Sequence, residues 1–171
     1  MILAIISDIH DNLANLEKCL TWCNKNKVAK IICPGDVTNN ETINYLSSNF
    51  KGEIFLVSGN AELYEEADLK AYRNINYGGE ISFFNLDGLN FGLCHEPAKI
   101  KRILIEADKK DSEHKRLDFI FYGHTHKPWL EKNGSTIIVN PGNLCGVFHE
   151  PTFAYLDTET RKLELKVLKE L

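Results

Sequence analysis

Short apolar runs punctuate this chain, separated by longer mixed segments. Residues 3–6, 31–33, 54–57 and 119–122 are brief, continuous and rich in β-branched or aromatic side chains. Such runs are the mark of strands buried on both faces. Between them the period changes. Within residues 13–24, Leu13, Leu16, Leu20 and Cys23 recur at helical spacing, with Asp11 or Asn12 placed to cap the first turn. Residues 40–48 and 97–108 have the same helical character, and Pro97 suits a first turn because the N–H it lacks would find no partner there. Strand then helix, repeated, predicts parallel strands joined by right-handed crossovers.

The second half of the chain carries a different signal. Ile81–Leu86 and Leu89–Cys94 flank Asp87-Gly88, and Leu130 and residues 136–139 flank Asn133-Gly134. Residues 153–157 and Lys162–Val167 flank the turn at 158–161. Asp-Gly and Asn-Gly supply the positive φ of tight hairpin turns, so antiparallel pairs are predicted here. Crossovers and hairpins together predict an α/β fold, a four-layer αββα sandwich of two mixed sheets with helices outside. No repeat or Pro/Gly/Ser-rich linker divides the 171 residues, which are expected to form a single domain, 1–171. An exposed final strand at Lys162–Val167 would offer an edge for pairing in a homodimer.

Composition narrows the classes. Hydrophobic residues at 43% and charged residues at 26% exclude disorder, collagen and coiled coil. Twenty basic against twenty-four acidic residues leave a net charge of −4, so no basic face advertises nucleic acid or an anionic membrane. The first apolar run is too short for a signal-peptide core or a membrane span. Cys19, Cys23, Cys33, Cys94 and Cys145 are odd in number and include no Cys-x-x-Cys pair. Free thiols are expected, in a reducing, cytoplasmic compartment, each acting as a small buried hydrophobe.

Candidate chemistry lies where the predicted strands end. Asp8 and His10 follow the first strand, Asp36 the second and Asn60 the third; His95 ends residues 91–94, and His124 and His126 follow residues 119–122. In open α/β sheets ligands bind at the carboxyl ends of strands. Singly these elements are weak. Gly35-Asp36 and Gly59-Asn60 would serve as turns, and His95 as a hydrogen-bonded core histidine. Gly123-His124-Thr125-His126 is stronger, since residues i and i+2 of extended chain point the same way. Coincidence at five strand ends is a poor account of the whole set. His114 and His149 lie in polar stretches, and His114 is expected on the surface.

The ordered set Asp-x-His, Gly-Asp, Gly-Asn, His, Gly-His-x-His resembles that of the calcineurin-like metallophosphoesterases. Compactness and the segment Asn140-Pro141-Gly142 are similar to the small bacterial and archaeal phosphodiesterases of that fold, and the retromer subunit of the same fold is of like size. The resemblance implies two divalent ions, one on Asp8, His10, Asp36 and His126, the other on Asp36, Asn60, His95 and His124, with Asp36 bridging. It implies Asp36, Asn60, His95 and Asn12 as the catalytic set, Asn12 donating to a phosphate oxygen as well as capping a helix. The resemblance implies manganese first, and imidazole and oxygen donors also suit iron, cobalt, nickel or zinc, rather than Cu(I). The implied reaction is hydrolysis of a P–O ester by a metal-bridging hydroxide, on a small phosphodiester or nucleotide-type substrate. A non-catalytic protein-binding scaffold is the alternative of the same fold.

Three positions depart from the family pattern. Ala61 stands where many members carry a histidine that serves as general acid, which points to diesters or activated leaving groups. Asp36 is followed by Val37, Thr38 and Asn39, without the family's second acidic residue, and Asn143 replaces a common serine. Selectivity is expected in loops 62–77 and 146–151, where Tyr64, Tyr72 and Tyr77 would stack on a base or pack on the core.

Overall fold

Leu3 and Ile5 on one face of the first strand, and Ala4 and Ile6 on the other, are all wholly buried. A strand of this kind needs cover on both sides, and the architecture supplies it. The structure, a computed structural model, describes residues 1–109 and 116–171; His114 lies outside the described residues. Strands β1 (Ile2–Ile5), β2 (Lys30–Cys33) and β3 (Glu53–Leu56) alternate with helices α1 (Leu13–Lys25) and α2 (Asn40–Asn49). Next come α3 (Glu66–Leu69), β4 (Ile75–Tyr77), β5 (Ile81–Leu86) and β6 (Leu89–Cys94). A 3₁₀ turn at Pro97–Lys99 leads into α4 (Ile100–Ala107), followed by β7 (Phe119–Phe121), β8 (Trp129–Asn133) and β9 (Thr136–Asn140). Finally β10 (Thr152–Asp157) and β11 (Lys162–Val167) form the last hairpin.

Two mixed sheets result, as the hydrophobic pattern predicts. One has the order β11-β10-β1-β2-β3-β4 and the other β5-β6-β7-β9-β8. Within the first, β1 through β4 are parallel, and within the second β6, β7 and β9 are parallel. All three predicted hairpins are present as antiparallel pairs. Leu3, Ile5, Ile32 and Val57 of the first sheet meet Phe91, Leu93, Phe119 and Phe121 of the second. On the outer face of the first sheet, Ala4, Ile6, Ile31 and Cys33 pack under Leu16, Leu20, Ile43 and Leu46 of α1 and α2. Ile103 and Ala107 of α4 cover Ile120 and Ile138 of the second. These layers make the αββα sandwich.

Stretch 62–77 is not simply a loop. It contains α3 and β4, elements of four and three residues, too short to show a period of their own. Tyr64 is buried, and Tyr72 and Tyr77 pack against the same core, so core packing accounts for all three. The segment 97–108 also differs in detail, its proline opening a 3₁₀ turn before the α-helix begins.

Phe91 is the hub between the sheets, its ring 5.4 Å from Phe84, 5.8 Å from Phe119 and 6.0 Å from Phe121. Truncating it removes these contacts and leaves a cavity that the flanking backbone ladders hold open. Phe91→Ala is expected to lower the unfolding free energy by about 3–5 kcal/mol, measured by denaturant titration.

Candidate metal centre

The parallel strands of both sheets end on one edge of the sandwich, and the turns after them carry the candidate side chains. Asp8 and His10 follow β1, Asp36 follows β2, Asn60 follows β3, His95 follows β6, and His124 and His126 follow β7. The chain must turn sharply at each place to aim these groups inward. Asp8, His10, Asp36, His124 and His126 have φ of 52°, 43°, 54°, 70° and 59°, the left-handed region that non-glycine residues avoid. Such conformations cost about 1–3 kcal/mol each and persist at sites where their surroundings over-determine them.

Glycine supplies the close approach. A Cβ on Gly59 would strike the Asp36 carboxylate, and one on Gly123 would strike Ser7 Oγ and come within 2.6 Å of Asp8 Oδ2. Gly59 and Gly123, which precede Asn60 and His124, therefore have no room for a side chain.

All seven side chains come together, in two overlapping groups. In the first, His10 Nε2 lies 3.2 Å from His126 Nε2 and 3.5 Å from Asp36 Oδ2, and His126 Nε2 lies 3.3 Å from Asp8 Oδ1. In the second, His95 Nε2 lies 3.1 Å from Asp36 Oδ2 and 3.0 Å from Asn60 Oδ1, while His124 Nδ1 lies 2.7 Å from the same Asn60 oxygen. Asp36 belongs to both. Asp8 and Asp36 are almost wholly buried, and the backbone N–H of His124 donates to both Asp8 oxygens at 3.1 Å.

These contacts set up an electrostatic demand. His95 Nδ1 donates to the Pro34 carbonyl at 2.8 Å, so a neutral ring would present its Nε2 lone pair to two oxygen acceptors. Only a cation, a proton or a metal ion, satisfies that arrangement. In keeping with this, burial works to lower the His95 pKa, but Asp36 overrides it and holds the ring above the usual imidazole range. Burial works upward on Asp36, yet the His95 ring and the Ala61 amide keep its carboxyl below the usual range. Asp8, whose burial dominates, lies above that range. The donors are nitrogen and oxygen from imidazole, carboxylate and amide, a set that fits divalent ions of borderline softness. Asp8, His10 and Asp36 offer ligand atoms all within 4.8 Å of one another.

A family model for the calcineurin-like phosphoesterase superfamily domain matches residues 1–161. The chain belongs to that superfamily. A phosphodiesterase of Methanocaldococcus jannaschii is 30% identical over 174 residues, across 99% of this chain and 100% of its own. The solved structure of an archaeal phosphodiesterase superposes with a TM-score of 0.84 at 26% identity, over 98% of this chain and 99% of its own. The Vps29 protein of Entamoeba histolytica, solved with Zn²⁺, superposes with a TM-score of 0.67 at 16% identity, over 98% and 99%. At that identity the likeness is one of fold. The calcineurin-like family implies divalent metal, and the clustered histidines and aspartates are a candidate site for it.

Around this family motif the structure adds supports that no local pattern announces. Glu62 accepts from the backbone N–H of Val37, Thr38 and Gly59 at 3.3, 2.8 and 3.0 Å, clamping the Asp36 and Asn60 turns together. It brings a carboxylate to the Asp36 turn, where the sequence lacks the family's second acidic residue. Asn143 donates to the His126 carbonyl at 3.0 Å and accepts from Gly146 N at 2.6 Å, which gives that residue a role. Cys145, half-buried rather than a core thiol, brings Sγ within 3.6 Å of His126 Nδ1. Asn12, not Asp11, caps α1 by accepting from Asn15 N, and its amide also donates to the Cys145 carbonyl at 3.0 Å. Asp11 instead accepts from Thr42 Oγ1 at 2.6 Å and Asn39 N at 3.2 Å, joining the starts of α1 and α2.

Removing the Glu62 carboxylate leaves three amide donors without their acceptor. Glu62→Ala is expected to lower the unfolding free energy by about 1–3 kcal/mol, as measured by denaturant titration of the metal-free protein.

Proposed function

We propose that this protein is a metal-dependent phosphodiesterase that hydrolyses a P–O ester at a two-metal centre. The observation that carries this reading is the position of Asp36, whose Oδ2 stands 3.1 Å from His95 Nε2 and 3.5 Å from His10 Nε2. One carboxylate thus serves two donor groups. Asp8, His10, Asp36 and His126 would hold one ion, and Asp36, Asn60, His95 and His124 the other, with manganese put first by the family resemblance and iron, cobalt, nickel or zinc also suited to imidazole and oxygen donors. Two such ions would supply Lewis acidity toward phosphoryl oxygens and would make water acidic enough to act as a nucleophile near neutral pH.

The chain's own residues do the rest. Asp8 and Asp36 bring only two negative charges, so a centre holding two divalent cations stays net positive and draws an anionic phosphate ester. That local field explains how a protein of net charge −4 would take an anionic substrate. Asn12 stands at the N-terminus of the 13-residue helix α1, whose positive dipole end would favour a phosphate oxygen, and its Nδ2, which donates to the Cys145 carbonyl, keeps a second N–H for it. His95, which Asp36 holds above the usual imidazole range, would have to lose its proton to ligate, so metal affinity is expected to rise with pH. Ala61 offers no proton to a leaving group, which favours diesters and activated esters over unactivated alkyl monoesters. Loss of donors would favour a scaffold of the same fold, and all seven are in place. Free cysteines at all five positions are consistent with a cytoplasmic setting.

Metal analysis of protein reconstituted with manganese is expected to show about two equivalents, with hydrolysis of bis(p-nitrophenyl) phosphate. Asp36→Asn is expected to reduce that turnover by about 10²–10³-fold with little change in the unfolding midpoint. One equivalent or less, without turnover on any divalent ion, overturns the reading. Ala61→His is expected to raise turnover of an unactivated alkyl monoester, β-glycerophosphate, relative to the diester; an unchanged ratio would refute the proton-donor argument.

A further inference from the structure

Phe148 is the most exposed large apolar residue among those described, with 89% of its surface open, and its backbone is left-handed with φ of 66°. Both features are unfavourable. A phenyl ring gains by burial, and a bulky side chain avoids that backbone region. Of the other exposed apolar residues, Trp129, Leu130 and Leu165 project from strands and Ile105 from α4, while Leu63 and Val147 lie in loops but are aliphatic. Phe148 lies in a loop, and the loop itself is fastened to the metal centre.

The fastening is direct. Asn143, which accepts from Gly146 N at 2.6 Å, also donates to the His126 carbonyl at 3.0 Å. Asn12 holds the Cys145 carbonyl at 3.0 Å, and the Val147 carbonyl faces His126 Nδ1 at 3.4 Å. Phe148 follows immediately, its ring centroid 6.1 Å from that of His126 and tilted by 55°. An exposed aromatic ring is therefore held at the rim of the site by the same bonds that set a candidate metal ligand. The tyrosines of 62–77 cannot take this part, because they pack on the core.

We infer that Phe148 is a stacking platform for an aromatic ring of the substrate, so that the centre selects phosphate esters bearing a nucleobase. This inference rests on the phosphoesterase reading above. A phosphate held at the centre leaves the remainder of the ester beside the ring, and a flat heterocycle presents the face that a phenyl group stacks on. A ribose ring, puckered and hydroxylated, offers a smaller and less flat one. Stacking of one base on an aromatic side chain corresponds to about five- to a hundredfold in affinity.

The test is calorimetric titration of the manganese-loaded protein with AMP and with ribose 5-phosphate, which share the phosphate and sugar and differ by the base. AMP is expected to bind about tenfold more tightly. Phe148→Ala is expected to erase that difference while leaving ribose 5-phosphate unaffected, and Phe148→Trp to retain it. Equal binding of the two ligands by the wild type, or a preference that survives Phe148→Ala, overturns the inference. If bis(p-nitrophenyl) phosphate is hydrolysed without any preference for AMP, only the stacking role falls. If neither ligand binds and no diester is hydrolysed, the phosphoesterase reading falls with it.

Discussion

A carboxylate that is nearly buried must be met by positive charge or by hydrogen-bond donors, and at Asp36 it is met by both. Its Oδ1 accepts from the Ala61 amide at 2.9 Å, while Oδ2 faces His95 and His10 from different directions. Much of the site follows from that one demand. The turn after β2 must be left-handed to deliver the group inward, and the turn after β3 must come close enough for its amide to reach it. Gly59 then cannot carry a side chain, because the space a Cβ would occupy is filled by Asp36 itself.

The same constraint spreads outward in steps. Glu62 joins the Asp36 and Asn60 turns through three amides, and Asp11 joins the starts of α1 and α2. Across the site, the loop after β9 is tied to His126 by Asn143 and to α1 by Asn12. Strained backbone at five ligand-type positions is held in place by this web and by the two-sheet core beneath it. Rigid strands set the approximate positions, and hydrogen-bonded loops set the final ones, as a site that must keep several donors within a few ångströms requires.

Charge at the site runs against charge over the chain. The protein is acidic as a whole, yet its candidate centre gathers four imidazoles around two carboxylates. A pair of divalent ions would convert this into an anion well without any surface lysine or arginine. In the proposed reaction the histidines are then positioning and ligating groups, and the missing histidine at position 61 is felt at the leaving group. The exposed ring of Phe148 adds an apolar rim to an otherwise polar site.

The layers and the hairpins were legible in the sequence because each depends on local periodicity. Residues 3–6 with no polar interruption demand two-sided burial, and Asp87-Gly88 and Asn133-Gly134 demand tight turns. The candidate donors were legible too, since each follows a strand whose end is itself visible. What stayed hidden depended on distance in space without a pattern in sequence. The elements α3 and β4 are too short to carry a period, and only packing beside β3 makes a strand of Ile75–Tyr77. Glu62, Asn143, Cys145 and Phe148 look like ordinary loop residues until folding brings their partners from elsewhere in the chain. Local preference decides which elements form; long-range contact alone decides which loop side chains they bring together.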